Sequence, residues 1–319
     1  MSRSKPQGTD LEPWVLRSTG AGSLGRMQRI QSLWGGYGEI VRVPLRDANA
    51  DSVILKRVDV PRNGGPGGAG ARSHARKLRS YAVEQRWYRS YAADCAPSCR
   101  VPDVLALDKG PSRWWFLLED LDDAGFAGRR HGLDGREEDL CLRWLAALHA
   151  TFLGRAPDGL WSEGTYWHLA TRPDELATMA DGPLKEAAGA LDGRLRQAQH
   201  RTFVHGDAKP ANFCFGEAAV AAVDFQYVGG GCGMRDVAYL LGAGRGPFDR
   251  SLDRYFGHLR AALERRGRGD EAVAVEAEWR ALFPVAWADF ARFLAGWAPG
   301  HGGRDPAGER LIREALDSL

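Results

Sequence analysis

Phe203-Val204-His205-Gly206-Asp207-Ala208-Lys209-Pro210-Ala211-Asn212 is the most informative stretch of the 319-residue chain, and Asp224-Phe225-Gln226 follows twelve residues later. Moving a phosphoryl group requires one residue that orients and deprotonates the attacking hydroxyl, and others that hold magnesium on the nucleotide phosphates. Asp207 stands where the base is needed. Asn212, five residues on, reaches a metal from the same loop. Ala219 to Val223 reads as a strand that delivers Asp224, a charged oxygen ligand suited to a hard cation. Lys209 lies between base and metal ligand, where its ammonium would hold the group in transfer. An isolated His-Gly-Asp is an ordinary turn, and an isolated Asp can be a helix cap. The compound pattern with its fixed spacing is not readily produced by either.

Two upstream residues take meaning from this order. Lys56 closes the run Val53-Ile54-Leu55-Lys56, where a strand lysine meets the α and β phosphates. Glu84 sits on the next helical stretch, Ser80 to Tyr88, as its ion-pair partner. Taken singly, either residue is a solvated surface charge. Gly35-Gly36-Tyr37-Gly38, between two strands, is a candidate phosphate loop in which Gly36 and Gly38 approach the nucleotide, although a plain hairpin turn explains it almost as well. Trp115 to Leu121, with Glu119 near its end, reads as a last strand and hinge whose backbone faces the adenine edge.

The texture along the chain fits these roles. Glu39–Leu45, Ser52–Val58, Val101–Leu107 and Arg113–Leu121 have strand composition. Pro61 to Ala71 is rich in glycine and proline and reads as a loop. Arg72, Arg76, Lys77 and Arg79 open a helix that runs to Tyr91. After Leu121, Leu142, Leu145, Leu148 and Phe152 recur on one helical face. Asp174 to Gln199 reads as one or two helices, and most of the chain after Met234 is helical. The expected organisation is an N-terminal extension (1–26), a β-rich nucleotide-binding lobe (27–121) and a helical lobe (122–319) that carries the catalytic loop and acceptor site. With 44% hydrophobic and 26% charged residues the chain can build a packed core. A net charge of +2 argues against a nucleic-acid coat. No apolar run is long enough to span a membrane, and no apolar segment follows Met1–Pro6, so neither a membrane nor a secretory location is expected. The odd number of cysteines, without a CxxC pair, fits free thiols in a reducing cytoplasm, and Cys95 and Cys99 lack the second pair that a zinc site needs.

From about Met27 to Trp297 the sequence resembles the aminoglycoside phosphotransferase and choline kinase superfamily of small-molecule kinases. The run from His205-Gly206-Asp207 through Asp224-Phe225-Gln226-Tyr227-Val228-Gly229 to Arg235-Asp236-Val237-Ala238-Tyr239-Leu240-Leu241 is most similar to its ecdysteroid-kinase-like branch. The resemblance implies an α+β, protein-kinase-like two-lobed fold, magnesium and ATP as cofactors, Asp207 as base, and Asn212 and Asp224 as metal ligands. Gln226 departs from the glycine of the protein-kinase pattern, and the phosphate loop is short of glycines. Only the 11 residues Phe225 to Arg235 separate Asp224 from Asp236, which leaves little room for an activation loop and a peptide-docking segment. Asp236 is expected to cap a helix or brace the catalytic loop.

Two other classes compete. Gly20-Ala21-Gly22-Ser23-Leu24-Gly25 is a literal GxGxxG, with Asp47 as its ribose acid, and would make the chain a dinucleotide-binding oxidoreductase; the β-type residues that follow argue against it. A pseudokinase-like nucleotide-binding module would usually lack the lysine, the base or a metal ligand, and all are present here. The acceptor, an alcohol of sterol-like, amine-bearing or sugar-like type, would be selected in the helical lobe. Tyr166-Trp167-His168 and the late helix with Trp287, Asp289, Phe290 and Trp297 are the candidate lining; aromatic residues at helical spacing also form cores. Nothing in the sequence decides the oligomeric state.

Overall fold

Val41 and Val43 on one strand, Val53 and Leu55 on the next, and Trp115 and Leu117 on a third recur at every second residue, which puts each pair on one face of its strand. In the computed structural model, which describes residues 11–60, 69–95, 97–242, 246–298 and 305–319, those faces form one core with Val15. The chain resolves into two compact units.

The first unit comprises residues up to Gly65 together with Pro102–Ala127. Its elements are α1 (Leu11–Thr19), β1 (Ser23–Leu24), β2 (Gln28–Ser32), β3 (Gly38–Arg46) and β4 (Ser52–Asp59). The second unit's first helix, α2 (Ala69–Ser90), intervenes before β5 (Val104–Gly110) and β6 (Arg113–Glu119) complete the sheet. All pairings are antiparallel, in the order β1-β3-β4-β6-β5, with β2 also on β3. Residues 11–26 of the expected N-terminal extension pack onto the sheet. Val15 of α1 is fully buried in the core, Trp14 packs its ring 5.4 Å from Trp115, and β1 pairs with the end of β3. This arrangement removes the dinucleotide reading. Gly22 and Gly25 donate to Arg46 O and Pro44 O across the hairpin, so the GxGxxG opens no helix.

A polar cluster closes one end of this sheet. Arg42 pairs with both Asp120 and Asp122, and Ser52 Oγ donates to Asp120 at 2.7 Å and to Asp123 at 3.0 Å. Burial raises the pKa of the Asp120 carboxyl, but the Arg42 and Ser52 bonds outweigh it and leave the group below the usual range.

The second unit holds Pro66–Val101 and Gly128–Leu319. After α2 come α3 (Gly135–Phe152), α4 (Pro173–Thr178), α5 (Pro183–Glu186) and α6 (Ala188–Arg196). Two small hairpin-like pairs follow, from β7 (Thr202–Val204), β8 (Phe213–Phe215), β9 (Val220–Ala222) and β10 (Gly229–Gly231), with β7 on β10 and β8 on β9. The chain ends with α7 (Met234–Leu241), α8 (Asp249–Arg265), α9 (Ala272–Trp297) and α10 (Pro306–Asp317). Leu142, Leu145, Leu148 and Phe152 are all fully buried on the inner face of α3, whose start is fixed by an Asp134–Glu137 capping box. The stretch expected to hold one or two helices breaks into three, because Pro173 and Pro183 each restart the helix at their own first turn. The expected boundaries do not coincide with the two units: α2, placed by spacing with the β-rich lobe, belongs to the helical unit. Most of the stretch Pro61–Ala71, expected as a loop, lies outside the described residues, and Ala69–Ala71 belong to α2.

Arg42→Ala would leave the Asp120 carboxylate buried without its cation. It is expected to cost about 2 kcal/mol of stability, since Arg42 itself is partly exposed. Because Asp120 titrates below its unfolded value, its contribution is present above an ordinary carboxylate pKa and lost as pH falls through the folded one. Urea melts of the full chain at pH 7 and pH 3 should therefore show the deficit at pH 7 and a smaller one at pH 3.

Candidate active site

The catalytic loop leaves β7 through His205 and Gly206. Gly206 adopts φ +81°, and a Cβ there would stand 2.2 Å from Tyr227 O, so only glycine makes this turn. Asp236, in the first turn of α7, does not cap its own helix. Its carboxylate accepts from the backbone N–H of His205 (2.6 Å) and Gly206 (2.9 Å), and from His149 Nε2 at 3.2 Å. His149 Nδ1 in turn meets the Tyr255 hydroxyl at 2.7 Å. Asp236, His149 and Tyr255 are all fully buried. Of the two roles expected for Asp236, the geometry selects the brace.

A second tie joins the loop to the strand that delivers Asp224. His205 Nε2 donates to Val223 O at 3.0 Å, and its Nδ1 accepts from Asp207 N at 3.3 Å, which fixes the neutral Nε2–H tautomer. Val223 N donates to Asn212 O at 3.0 Å. Asp224 follows with φ +67°, a left-handed backbone uncommon outside glycine and characteristic of strained functional positions.

The loop brings Asp207, Lys209 and Asn212 together. Lys209 Nζ and Asn212 Nδ2 both donate to Asp207 Oδ2 at 2.8 Å. Among the described residues Oδ1 receives one bond, from the Tyr239 hydroxyl at 3.0 Å. Burial raises the Asp207 pKa; the Lys209 charge opposes this, the nearby Asp224 charge adds to it, and the group stays above the ordinary carboxylate range. Burial disfavours the Lys209 charge, but Asp207 and Asp224 more than offset it and its pKa is raised. Burial and Asp207 together hold the Tyr239 hydroxyl protonated, so it acts as a donor.

Asn212 Nδ2 also donates to Asp207 O at 2.8 Å, so the amide nitrogen is committed to Asp207 and the amide oxygen is the group's acceptor. One amide oxygen and the Asp224 carboxylate are too few for an all-protein cage. No group of three or more His, Cys, Asp or Glu suited to a metal occurs among the described residues. That sparse oxygen set fits magnesium, which binds through one or two carboxylates and completes its shell with water and substrate phosphates.

The Asp-Phe-Gln segment is fastened to α2. Phe225 stacks on Trp87 at 4.5 Å and meets Tyr88 edge-on at 5.9 Å, and Gln226 Oε1 accepts from Ser80 Oγ at 3.1 Å. Glu84 lies on the same helix between these contacts and is buried. Lys56 stands on β4 of the other unit, paired in register with Ile40 and Phe116. Gly36 ends a 3-10 turn with φ +73°. Gly38 opens β3 with φ +137°, where a Cβ would strike Arg57 O at 2.1 Å. The close approach at Gly38 is thus to the neighbouring strand. At the expected hinge, Glu119 N donates to Asp103 O and the Glu119 carboxylate accepts from Asp103 N, both at 2.9 Å. The Glu119 amide is committed to the sheet.

The candidate acceptor residues divide. Tyr166 joins the site: its backbone N–H donates to Gly206 O at 2.7 Å. Trp167 is fully buried against Tyr239 and Phe290, so it is core behind the site. His168 Nε2 lies 3.0 Å from Asp192. Trp287 packs on Phe248 and against Gly308 of α10, away from Trp167. Asp289 is fully buried and paired with Arg292 at 2.8 Å. Trp287 and Asp289 lie in the interior because helix α9, which carries them, buries most of its residues; Trp167 backs onto the same helix at Phe290. Tyr239 escaped the sequence reading; its position three residues after Asp236 was the available signal.

The model of the phosphotransferase enzyme family matches residues 30–274. No curated protein matches the sequence. Among solved structures, the chain is similar to an amicoumacin kinase in complex with AMP-PNP, Ca2+ and Ami, at 13% identity over 97% of this chain and 94% of that one, with a TM-score of 0.52. Choline kinase LicA from Streptococcus pneumoniae is 12% identical over 98% and 100% of the two chains, with a TM-score of 0.46. An aminoglycoside-3'-phosphotransferase of type VIII is 16% identical over 96% and 98%, with a TM-score of 0.43. The first likeness shows the fold: a kinase-like α+β architecture with a β-rich and a helical part.

Asp236→Ala would strand two buried backbone donors and the His149 ring. A loss of about 3 kcal/mol or more is expected in urea denaturation. Asp236→Asn, which keeps one acceptor oxygen, should recover part of that loss; equal melts for wild type and Asp236→Ala would show that the carboxylate braces nothing.

Proposed function

The chain belongs to the phosphotransferase enzyme family, and on that premise we propose that it is a magnesium- and ATP-dependent kinase that phosphorylates a hydroxyl of a small molecule. The observation that carries this reading is the unequal loading of the Asp207 carboxylate. Two donors occupy Oδ2, while Oδ1 meets a single hydroxyl. Oδ1 is the basic oxygen, and the Tyr239 O–H marks the direction from which an acceptor O–H approaches it.

In this mechanism Asp207 takes the acceptor proton at Oδ1 as the oxygen attacks the terminal phosphoryl group. Burial keeps the carboxylate basic enough to accept it. Lys209 holds Oδ2 and offers its remaining ammonium protons to the equatorial oxygens of the group in transfer. Asn212 and Asp224 would hold magnesium, which when bound neutralises charge on the phosphates. The order of residues along the chain assigns Lys56 to the α and β phosphates, with Glu84 as its intended partner, and Gly36 and Gly38 to the phosphate loop. Tyr239 orients the base and keeps Oδ1 from rotating toward Lys209. The alternative of a pseudokinase-like binding module is disfavoured because the lysine, base and both metal ligands are all present. A cytoplasmic enzyme fits this reading, and no helix among the described residues is long and apolar enough to cross a membrane.

Asp207→Asn is expected to lower turnover by ~10²–10⁴ while leaving magnesium-ATP binding intact. Because the folded Asp207 pKa lies above the unfolded value, its ionised form costs stability. The unliganded Asp207→Asn protein should therefore melt no lower than wild type at pH 7, and any advantage should vanish as pH falls and wild-type Asp207 takes up a proton. Asp224→Ala should abolish magnesium-dependent nucleotide binding in calorimetry; unchanged affinity would give the ion to another carboxylate.

Tyr239→Phe removes a donor from the ionised base, so the acid limb of the rate profile should move to higher pH. Turnover should fall about tenfold or less, with the KM for ATP unchanged. An unmoved profile would leave Tyr239 as packing.

A further inference from the structure

The basic run that opens α2 is not used by the reaction above. Its guanidinium groups reach the loop 160–172 that carries Tyr166. Arg79 Nη2 donates to Leu160 O at 2.8 Å and its guanidinium lies 5.7 Å from the Trp161 ring. Arg76 Nη1 donates to Thr171 O at 2.8 Å. Arg72 pairs with Asp174. From the loop itself, Arg172 is stacked 3.9 Å over Tyr166, donates to Tyr166 O, and pairs with Glu175 at 2.9 Å.

The charges on this wall do not balance. Asp174 and Glu175 answer Arg72 and Arg172. Among the described residues, Arg76 and Arg79 bond neutral oxygens: the two carbonyls and, from Arg76, the Ser73 hydroxyl. Neither forms an ion pair among the described residues, and both lie beside the loop whose Tyr166 N–H is bonded to Gly206 O, one residue before the base. The carboxylates at the reacting centre, Asp207 and Asp224, already have their cations in the mechanism.

The same wall is aromatic. Tyr166 meets Tyr227 at 5.1 Å and Phe293 at 5.6 Å, both edge-on. Tyr227 stacks on Trp161, and Phe293 stacks on Trp297, a tryptophan with 54% of its surface exposed. Stacked rings edged by guanidinium groups suit a flat apolar ring that carries an acid. They repel an ammonium group, which would have to lie among the arginines.

Resting on the phosphotransferase reading, we propose that the acceptor is an alcohol bearing an anionic group, a carboxylate or a phosphate, on a flat apolar body, and that Arg76 and Arg79 select it. A carboxylate bonded by a guanidinium gains a charge-assisted bond that neither a neutral amide nor an amine makes there. Arg76 and Arg79 are therefore specificity residues that act on the acceptor and leave the nucleotide alone.

Three matched alcohols test this: 3-(hydroxymethyl)benzoate, its carboxamide and 3-(hydroxymethyl)benzylamine. Each is titrated by ligand-observed NMR into the full chain saturated with magnesium and AMP-PNP, so that anion binding at the nucleotide site is blocked. The acid is expected to bind about tenfold tighter than the amide and the amine. Arg76→Gln and Arg79→Gln should each remove most of that preference, Arg76→Lys should keep it, and AMP-PNP affinity should be the same in all four proteins. Amine or amide binding as tight as the acid overturns the proposal, as does no binding of the acid, or an acid preference that survives both glutamine variants. A loss of AMP-PNP affinity in Arg76→Gln would give these cations to the nucleotide and also overturn it. Failure of the unaltered chain to bind magnesium and AMP-PNP would instead strike the phosphotransferase reading; the acid–amine comparison is then read on the free protein.

Discussion

One buried carboxylate holds the catalytic loop in place. Asp236 accepts two consecutive backbone N–H groups and an imidazole N–H, and none of these donors has water to fall back on. A carboxylate is tolerated at full burial when its oxygens are hydrogen-bonded this completely. The loop backbone, for its part, cannot relax without stranding donors. The left-handed turn at Gly206 depends on the same arrangement, because the glycine packs its Cα against Tyr227 O with no room for a side chain. The position of Asp207 follows from Asp236 as directly as from its own contacts.

From that fixed loop the geometry passes outward through short, rigid links. His205 ties it to Val223, Asn212 ties it to the same strand, and Asp224 leaves that strand in a strained conformation. Phe225 and Gln226 then grip α2 through Trp87, Tyr88 and Ser80. This grip explains why α2, which carries Glu84 and the basic run, belongs with the helical unit. Aromatic stacking of buried rings and a buried side-chain bond are contacts made across more than 130 residues of sequence, and no local pattern near α2 announces them.

What the sequence made legible follows from what is local. The strand before Asp224 and the face of α3 were readable because spacing along the chain decides them, whereas at Asp236 spacing offered a helix cap beside the brace and only tertiary contacts select between them. Tyr239, His149 and Tyr255 were not, since a hydroxyl or an imidazole becomes part of a site only when tertiary packing points it at a carboxylate. Trp167 shows the reverse failure. A Gly-Thr-Tyr break predicts a loop, and the loop is there, but the indole turns inward to back Tyr239 instead of facing solvent. Composition cannot distinguish those outcomes, because an aromatic ring is equally suited to a core and to a pocket. Asp289 is buried for a related reason: Arg292, three residues on, pairs with its Oδ1 inside the helix packing.

The asymmetry of the Asp207 carboxylate unites these parts. Oδ2 is held by a lysine and an asparagine from its own loop, whereas Oδ1 is held by a tyrosine from a different element, the helix that begins with the brace. Cations favour the ionised form at Oδ2, while burial and Asp224 oppose it. The balance leaves a carboxylate more basic than one in water, with its less encumbered oxygen turned toward Tyr239. A base of that kind needs its two oxygens in different electrostatic surroundings, and a single loop offers only one. The second comes from α7, so the helix that fixes the loop through Asp236 also aims the base through Tyr239, one turn further along.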